Sequence, residues 1–161
     1  MFAFNFYLCD NFHMKDQFMK SALIEAEKAR KKNEVPIGAV IVKDGKIISK
    51  GYNQREKKQN ALLHAEVIAI NKACKKLKSW RLNGCDIYIT LEPCLMCFGA
   101  ILNSRIDNIY FGAYDKSGSS ISSNNSLLEK SILNHKLKVE GGILEKECSQ
   151  ILTDFFKENR R

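Results

Sequence analysis

His64-Ala65-Glu66 and, about thirty positions beyond the histidine, Pro93-Cys94-Leu95-Met96-Cys97 supply one imidazole, one carboxylate and two thiols. An imidazole and two thiolates are zinc ligands. Three protein ligands leave a tetrahedral ion one position for water, as in catalytic rather than closed structural sites. A zinc ion so held acidifies its water and makes it a nucleophile at neutral pH. That nucleophile can attack an amidine carbon carrying an exocyclic amine. Glu66, two residues from His64, can serve the water without being a ligand. It would take the water's proton, pass it to a ring nitrogen and then protonate the departing ammonia. A positioned acid/base of this kind contributes roughly 10²- to 10⁴-fold in rate.

Each part alone has a plainer reading. A single Cys-x-x-Cys is more often a redox pair or half of a zinc ribbon, and a single His-x-Glu at a helix start is usually a surface pair. The two in this order, after a strand and with Pro93 before the first cysteine, point to an open zinc site. The rival fourth ligand is Cys85, expected at the start of a strand and away from the helix turn that holds Cys94 and Cys97.

The elements that must position these residues follow from periodicity. From Lys15 to about Lys32, Phe18, Met19, Ala22, Leu23, Ala26 and Ala29 keep a helical repeat. Val35 to Val42 reads as a largely buried strand, Asp44-Gly45 as a tight turn and Lys46 to Tyr52 as the returning strand. Asn53 to Ala61 is a polar, basic loop. A helix carrying His64 and Glu66 follows, with Val67, Ile68, Ile70, Cys74 and Leu77 expected to face inward. Asp86 to Thr90 is a strand, Cys94 to about Asn103 a helix and Asn108 to Phe111 a strand. Ser117 to Ser126 is a Ser/Asn-rich loop. A short helix over Glu129 to His135, a short strand over Lys138 to Glu140 and a helix over Ile143 to Glu158 complete the chain. This β-β-α-β-α-β order predicts an α/β fold, a three-layer α/β/α arrangement with a mixed central sheet of about five strands. Both ligand-bearing segments open helices, where the positive end of the macrodipole favours thiolates. The i, i+3 spacing of Cys94 and Cys97 puts both on one face.

At 161 residues with 45% hydrophobic content, the chain suits one domain with a real core. Residues 14–161 are expected to form it. Residues 1–13, aromatic-rich and lacking a basic start, read as an extension outside the fold rather than a signal peptide. Four of the six cysteines stand singly among apolar neighbours, which indicates reduced thiols and a cytoplasmic protein. The net charge of +8 and pI near 9.2 favour a polyanionic partner, with solubility as the plainer explanation. No segment has the roughly twenty apolar residues of a membrane-spanning helix.

The H-x-E and P-C-x-x-C pair is the known signature of zinc-dependent nucleobase deaminases and is recognised as such. From Met14 onward the chain resembles the bacterial tRNA adenosine deaminase family, which converts the wobble adenosine of an anticodon to inosine. The resemblance rests on Ile87-Tyr88-Ile89-Thr90-Leu91-Glu92-Pro93-Cys94-Leu95-Met96-Cys97-Phe98-Gly99-Ala100-Ile101, Ser104-Arg105-Ile106 and Phe111-Gly112-Ala113. Val35-Pro36-Ile37-Gly38-Ala39-Val40, Asn53-Gln54-Arg55-Glu56 and Asp154-Phe155-Phe156 also match. It implies a cytidine-deaminase-like fold, a homodimer with a tRNA anticodon stem-loop touching both subunits, and one Zn²⁺ per subunit on His64, Cys94 and Cys97. It also places Asn53 where the flipped base is hydrogen-bonded and Asp115 beside the anticodon loop. Arg55, Lys116, Arg160 and Arg161 are candidates for phosphates, and Phe155 and Phe156 for core or stacking. Ala61-Leu62-Leu63, where the family often has Pro-Thr-Ala, and the Ser/Asn-rich loop depart from the pattern. Two alternatives stay open. One is a free-base or nucleoside deaminase of guanine or cytosine type. The other is a non-enzymatic zinc-stabilised RNA-binding module, which needs a fourth ligand and gives Glu66 no role.

Overall fold

The computed structural model describes residues 4–121 and 135–159, with side chains from residue 13 onward in those ranges. The alternation of apolar residues along the strands decides the layering. Ala39, Ile41, Ile87, Ile89, Ile109 and Phe111 point to one face of the sheet. Their neighbours Val40, Val42, Tyr88 and Tyr110 point to the other. Strands buried on both faces need helices on both faces.

The sheet contains β1 (Gly38–Lys43), β2 (Lys46–Tyr52), β3 (Cys85–Leu91), β4 (Asn108–Ala113) and β5 (Lys138–Glu140) in the order β2-β1-β3-β4-β5. β1 pairs antiparallel with β2 and β3, whereas β3, β4 and β5 run parallel. The helices are α1 (Phe4–Arg30), α2 (Arg55–Lys58), α3 (Ala65–Leu77), α4 (Leu95–Asn103) and α5 (Glu145–Glu158). Met19 and Ala22 of α1 and Cys148 of α5 fill the core beside Tyr88 and Tyr110. Ala65, Ala69 and Ala73 of α3, with Phe98 and Ile101 of α4, fill the core on the opposite face. The mixed five-stranded three-layer sandwich agrees with the sequence-based expectation.

Several boundaries differ. α1 begins ten residues before Met14, so helical backbone continues into the segment expected to lie outside the fold. β1 begins at Gly38 rather than Val35, because Pro36 has no N–H to give to a ladder. The basic loop after β2 contains the four-residue α2. On α3 the fully inward face is Ala65, Ile68, Ala69 and Ala73, one step round from the expected set, leaving Val67, Ile70, Cys74 and Leu77 half-buried. Small residues face in because β2 lies close: a Cβ on Gly51 would stand 2.2 Å from the Ala65 carbonyl oxygen and 2.8 Å from the Ala69 nitrogen. The expected helix over Glu129 to His135, the distal part of the Ser/Asn-rich loop, and Arg160 with Arg161 lie outside the described residues.

Candidate metal centre and its cavity

The parallel strands β3 and β4 end side by side, and the segments that leave their carboxyl ends, with Ile37 before β1 and the start of α3, form one cavity at the usual ligand-binding edge of such a sheet. The cavity has a volume of about 180 Å³ and is lined by Ile37, His64, Glu66, Leu91, Glu92, Cys94, Asp115, Ser117 and Ser119.

His64 is the N-cap residue of α3 and Cys94 that of α4; both are extended in backbone and neither caps its helix with its side chain. Each carbonyl starts its helix, accepting from Ile68 N at 3.1 Å and Phe98 N at 2.8 Å. The imidazole and thiol are thereby free to turn toward the cavity. Cys97, one turn into α4, is fully buried. His64 Nδ1 lies 3.8 Å from Cys94 Sγ and 3.5 Å from Cys97 Sγ. All three ligand atoms lie within 4.8 Å of one another. A tetrahedral zinc with bonds of about 2.0 Å to nitrogen and 2.3 Å to sulfur separates N and S ligands by about 3.5 Å. The donor set and its spacing therefore fit zinc. Cys85, the rival ligand, is buried at the far end of β3 and is not part of this group.

The two thiols are shifted in opposite directions. Hydrogen bonding with Cys97 and then with His64 pulls Cys94 down to about 4. The contact with Cys94, reinforced by burial, pushes Cys97 up. His64 is raised chiefly by its bond to Cys94. A divalent cation among them would reverse the Cys97 shift, since a coordinating thiol loses its proton outright. Glu66 sits in the first turn of α3 and is buried, and burial raises its carboxyl.

Among the described residues, Glu66 Oε2 and Asn53 Oδ1 are buried side-chain oxygens without a hydrogen-bond partner. Such orphans are rare and mark places where a ligand or water completes the set. Asn53 follows β2 directly; its backbone N–H donates to the carbonyl of the cavity residue Ile37 at 3.0 Å, and its Nδ2 to Val35 O at 3.4 Å. Arg55 is exposed on α2, bonded to Glu56 at 3.1 Å, and lies outside the lining, though its charge opposes protonation of His64.

Asp115, two residues beyond β4, lines the cavity. Its N–H donates to Glu92 Oε2 at 3.1 Å, and its carboxylate accepts from Ser117 N at 2.9 Å, Ser117 Oγ at 2.7 Å and Ser119 Oγ at 3.1 Å. Burial works against its charge, but the serine bonds prevail and hold the carboxyl below its ordinary value. The Ser119 carbonyl accepts from Leu95 N at 3.2 Å and so satisfies one of the free N–H groups opening α4. Ile37, Leu91, Glu92, Ser117 and Ser119 are site residues that sequence reasoning does not single out. The visible signal for Glu92 is its place directly before Pro93-Cys94.

Comparison with known proteins finds a family profile together with similar sequences and solved structures. The profile of the MafB19-like deaminases matches residues 13–160. The tRNA-specific adenosine deaminase of Bacillus subtilis (strain 168) is 46% identical over 144 residues, 89% of either chain. A solved structure from a study of A-to-I editing by tRNA:A34 deaminases at the wobble position of transfer RNA superposes with a TM-score of 0.80 at 40% identity, covering 84% of this chain and 99% of that one. A guanine deaminase structure from Bacillus subtilis superposes with a TM-score of 0.60 at 38% identity, covering 66% of this chain and 71% of that one.

Proposed function

We infer, since the chain belongs to the tRNA-specific adenosine deaminase family, that it hydrolyses adenosine 34 at the wobble position of a tRNA anticodon to inosine and ammonia. Its three-layer architecture is the cytidine-deaminase-like fold. His64, Cys94 and Cys97 would hold one zinc ion, which when bound activates water as the nucleophile. The other roles belong to the chain's own groups. Glu66 takes a proton from the attacking water and gives it to the ring nitrogen next to C6. Glu66 then takes the second proton from the hydroxyl now on C6 and gives it to the exocyclic amine, which leaves as ammonia while C6 becomes a carbonyl. Asn53 offers a buried amide to the base edge, and Asp115 orders the rim that the flanking nucleotides meet. Arg55 on exposed α2 is a phosphate contact. An adenine inside a base stack is out of reach of so enclosed a cavity, so A34 must flip outward to enter.

The observation that carries this reading is the unpartnered Glu66 Oε2, buried beside the cavity that Glu66 lines together with His64 and Cys94. A site that merely stabilised a fold would have no use for a buried carboxylate oxygen left unsatisfied. The net charge of +8 suits an RNA substrate, whereas a free base needs no phosphate-binding surface. We further place the protein in the cytoplasm as a homodimer. No helix among the described residues is long and apolar enough to cross a membrane. The test is incubation of the zinc-loaded protein with an anticodon stem-loop containing A34, beside free adenosine, guanine and cytosine. Inosine at position 34, read by sequencing, is expected. Turnover of guanine with an untouched stem-loop would replace this reading by the free-base one.

A further inference from the structure

The short helix α2 is held from outside itself. Its N-cap residue Gln54 makes no side-chain cap. Two backbone N–H groups of its first turn instead donate to one carboxylate that comes from the loop before β1: Glu56 N to Glu34 Oε2 at 3.1 Å and Lys57 N to Glu34 Oε1 at 2.6 Å. Glu34 is 1% exposed. Four residues are far too few to stay helical unaided, so this buried carboxylate determines where α2 sits. The same two segments are joined again at Asn53, through Ile37 O and Val35 O. Gln54 N donates to Leu63 O at 3.0 Å, immediately before His64. Residues 34–37 thus grip residues 53–57 at four points, and the gripped segment holds Asn53, whose Oδ1 is buried and unpartnered.

We propose that Glu34 is a positioning residue for this reaction: by clamping the first turn of α2 it holds the Asn53 amide at the angle the incoming base requires. The assignment rests on the base-binding role given to Asn53 above. The chemistry explains why the residue is an acid. Two N–H donors must be satisfied at once by two oxygens on one side chain. Glutamine has a single oxygen and would turn its NH₂ against one of the donors. Losing a hydrogen bond to a charged, buried group is worth roughly tenfold or more in an equilibrium, here the equilibrium between the ordered and displaced Asn53 segment.

The test is a double-mutant cycle of Glu34→Gln and Asn53→Ala, read by single-turnover deamination of the A34 stem-loop with enzyme in excess. Glu34→Gln is expected to lower the rate about tenfold or more alone, but less than about twofold when Asn53 is already alanine, because coupled residues are not additive. Amide exchange at Glu56 and Lys57 should quicken while that of β1 and β3 stays unchanged. Equal losses in both backgrounds, or unchanged exchange at those two amides, would overturn the proposal. If Glu34→Gln folds poorly, Glu34→Asp, which keeps the charge but withdraws it by a methylene, goes through the same cycle. Should the wild type ignore the stem-loop and turn over a free base, the substrate reading fails, and the cycle on that base still decides the role of Glu34.

Discussion

At the residue scale the site separates into ligands and a proton carrier, and the two kinds should fail differently. Glu66 lies outside the group of three ligand side chains, so Glu66→Gln, which keeps the shape but cannot carry protons, should leave one zinc per chain and an unchanged fold. Single-turnover deamination should drop by roughly 10²- to 10⁴-fold. Near-normal turnover in that variant would assign the acid/base to another group. Cys85 is the complementary case: Cys85→Ala should retain full zinc content by metal analysis, whereas Cys94→Ala should lose most of it. This residue-level chemistry is legible in the sequence because ligand type and spacing are local properties. The lining by Ile37, Leu91, Glu92, Ser117 and Ser119 is not. Those side chains come from three separate stretches of chain, and the antiparallel pairing of β1 with β3 and the parallel pairing of β3 with β4 bring them together. The clamp by Glu34 is invisible for the same reason: a glutamate before a strand looks like any surface acid until the chain returns to it.

At the element scale, α3 and α4 present His64 and Cys94 only if both lie close on the sheet. Close approach of α3 depends on Gly51 of β2, where an added Cβ would meet the Ala65 carbonyl at 2.2 Å, one residue from both His64 and Glu66. Gly51→Ala must push the start of α3 outward. A cost of about 1–3 kcal/mol is expected for such overpacking, and each kcal/mol lowers Tm by about 2–4 °C in a chain of this size. Zinc content should fall with it, because the displaced turn carries a ligand. A variant with full zinc and unchanged Tm would show that α3 is not seated by this contact. Strand and helix types are readable from the sequence, since the short apolar runs of β1, β3 and β4 and the helical repeat in α1 are strong patterns. The start of β1 and the inward face of α3 escape such reading because their causes are tertiary. The alanines of α3 face inward owing to a neighbouring glycine, and apolarity alone ranks Val67 and Leu77 above them.

At the scale of the whole molecule, two surfaces remain to be matched with partners. On sequence grounds Phe98, Ile101 and Leu102 would supply apolar surface for a dimer, yet Phe98 and Ile101 are buried within the chain's own core. The exposed apolar residues near the cavity are instead Leu62, Leu95, Met96 and Tyr114. They border the ligand-bearing segments, so a second subunit covering them would sit beside the site. Sedimentation at micromolar concentration should give about twice the 18.4 kDa chain mass; a species of one chain would count against the homodimer. The second surface is cationic. Lys57 and Lys58 are exposed on α2, next to Arg55 and on the same short helix that Glu34 anchors by its backbone. Because that anchor uses main-chain N–H groups, Lys57→Ala with Lys58→Ala can remove charge without releasing the helix. If both lysines meet phosphates of the anticodon arm, the slope of log affinity against log salt should become shallower by roughly 0.7 for each phosphate left without its lysine on a single strand. The double variant should therefore differ from the wild type by about 1.4 in slope, with thermal stability unchanged and turnover at saturating stem-loop preserved. An identical slope would take α2 off the RNA path and assign the salt dependence to cations elsewhere on this basic chain.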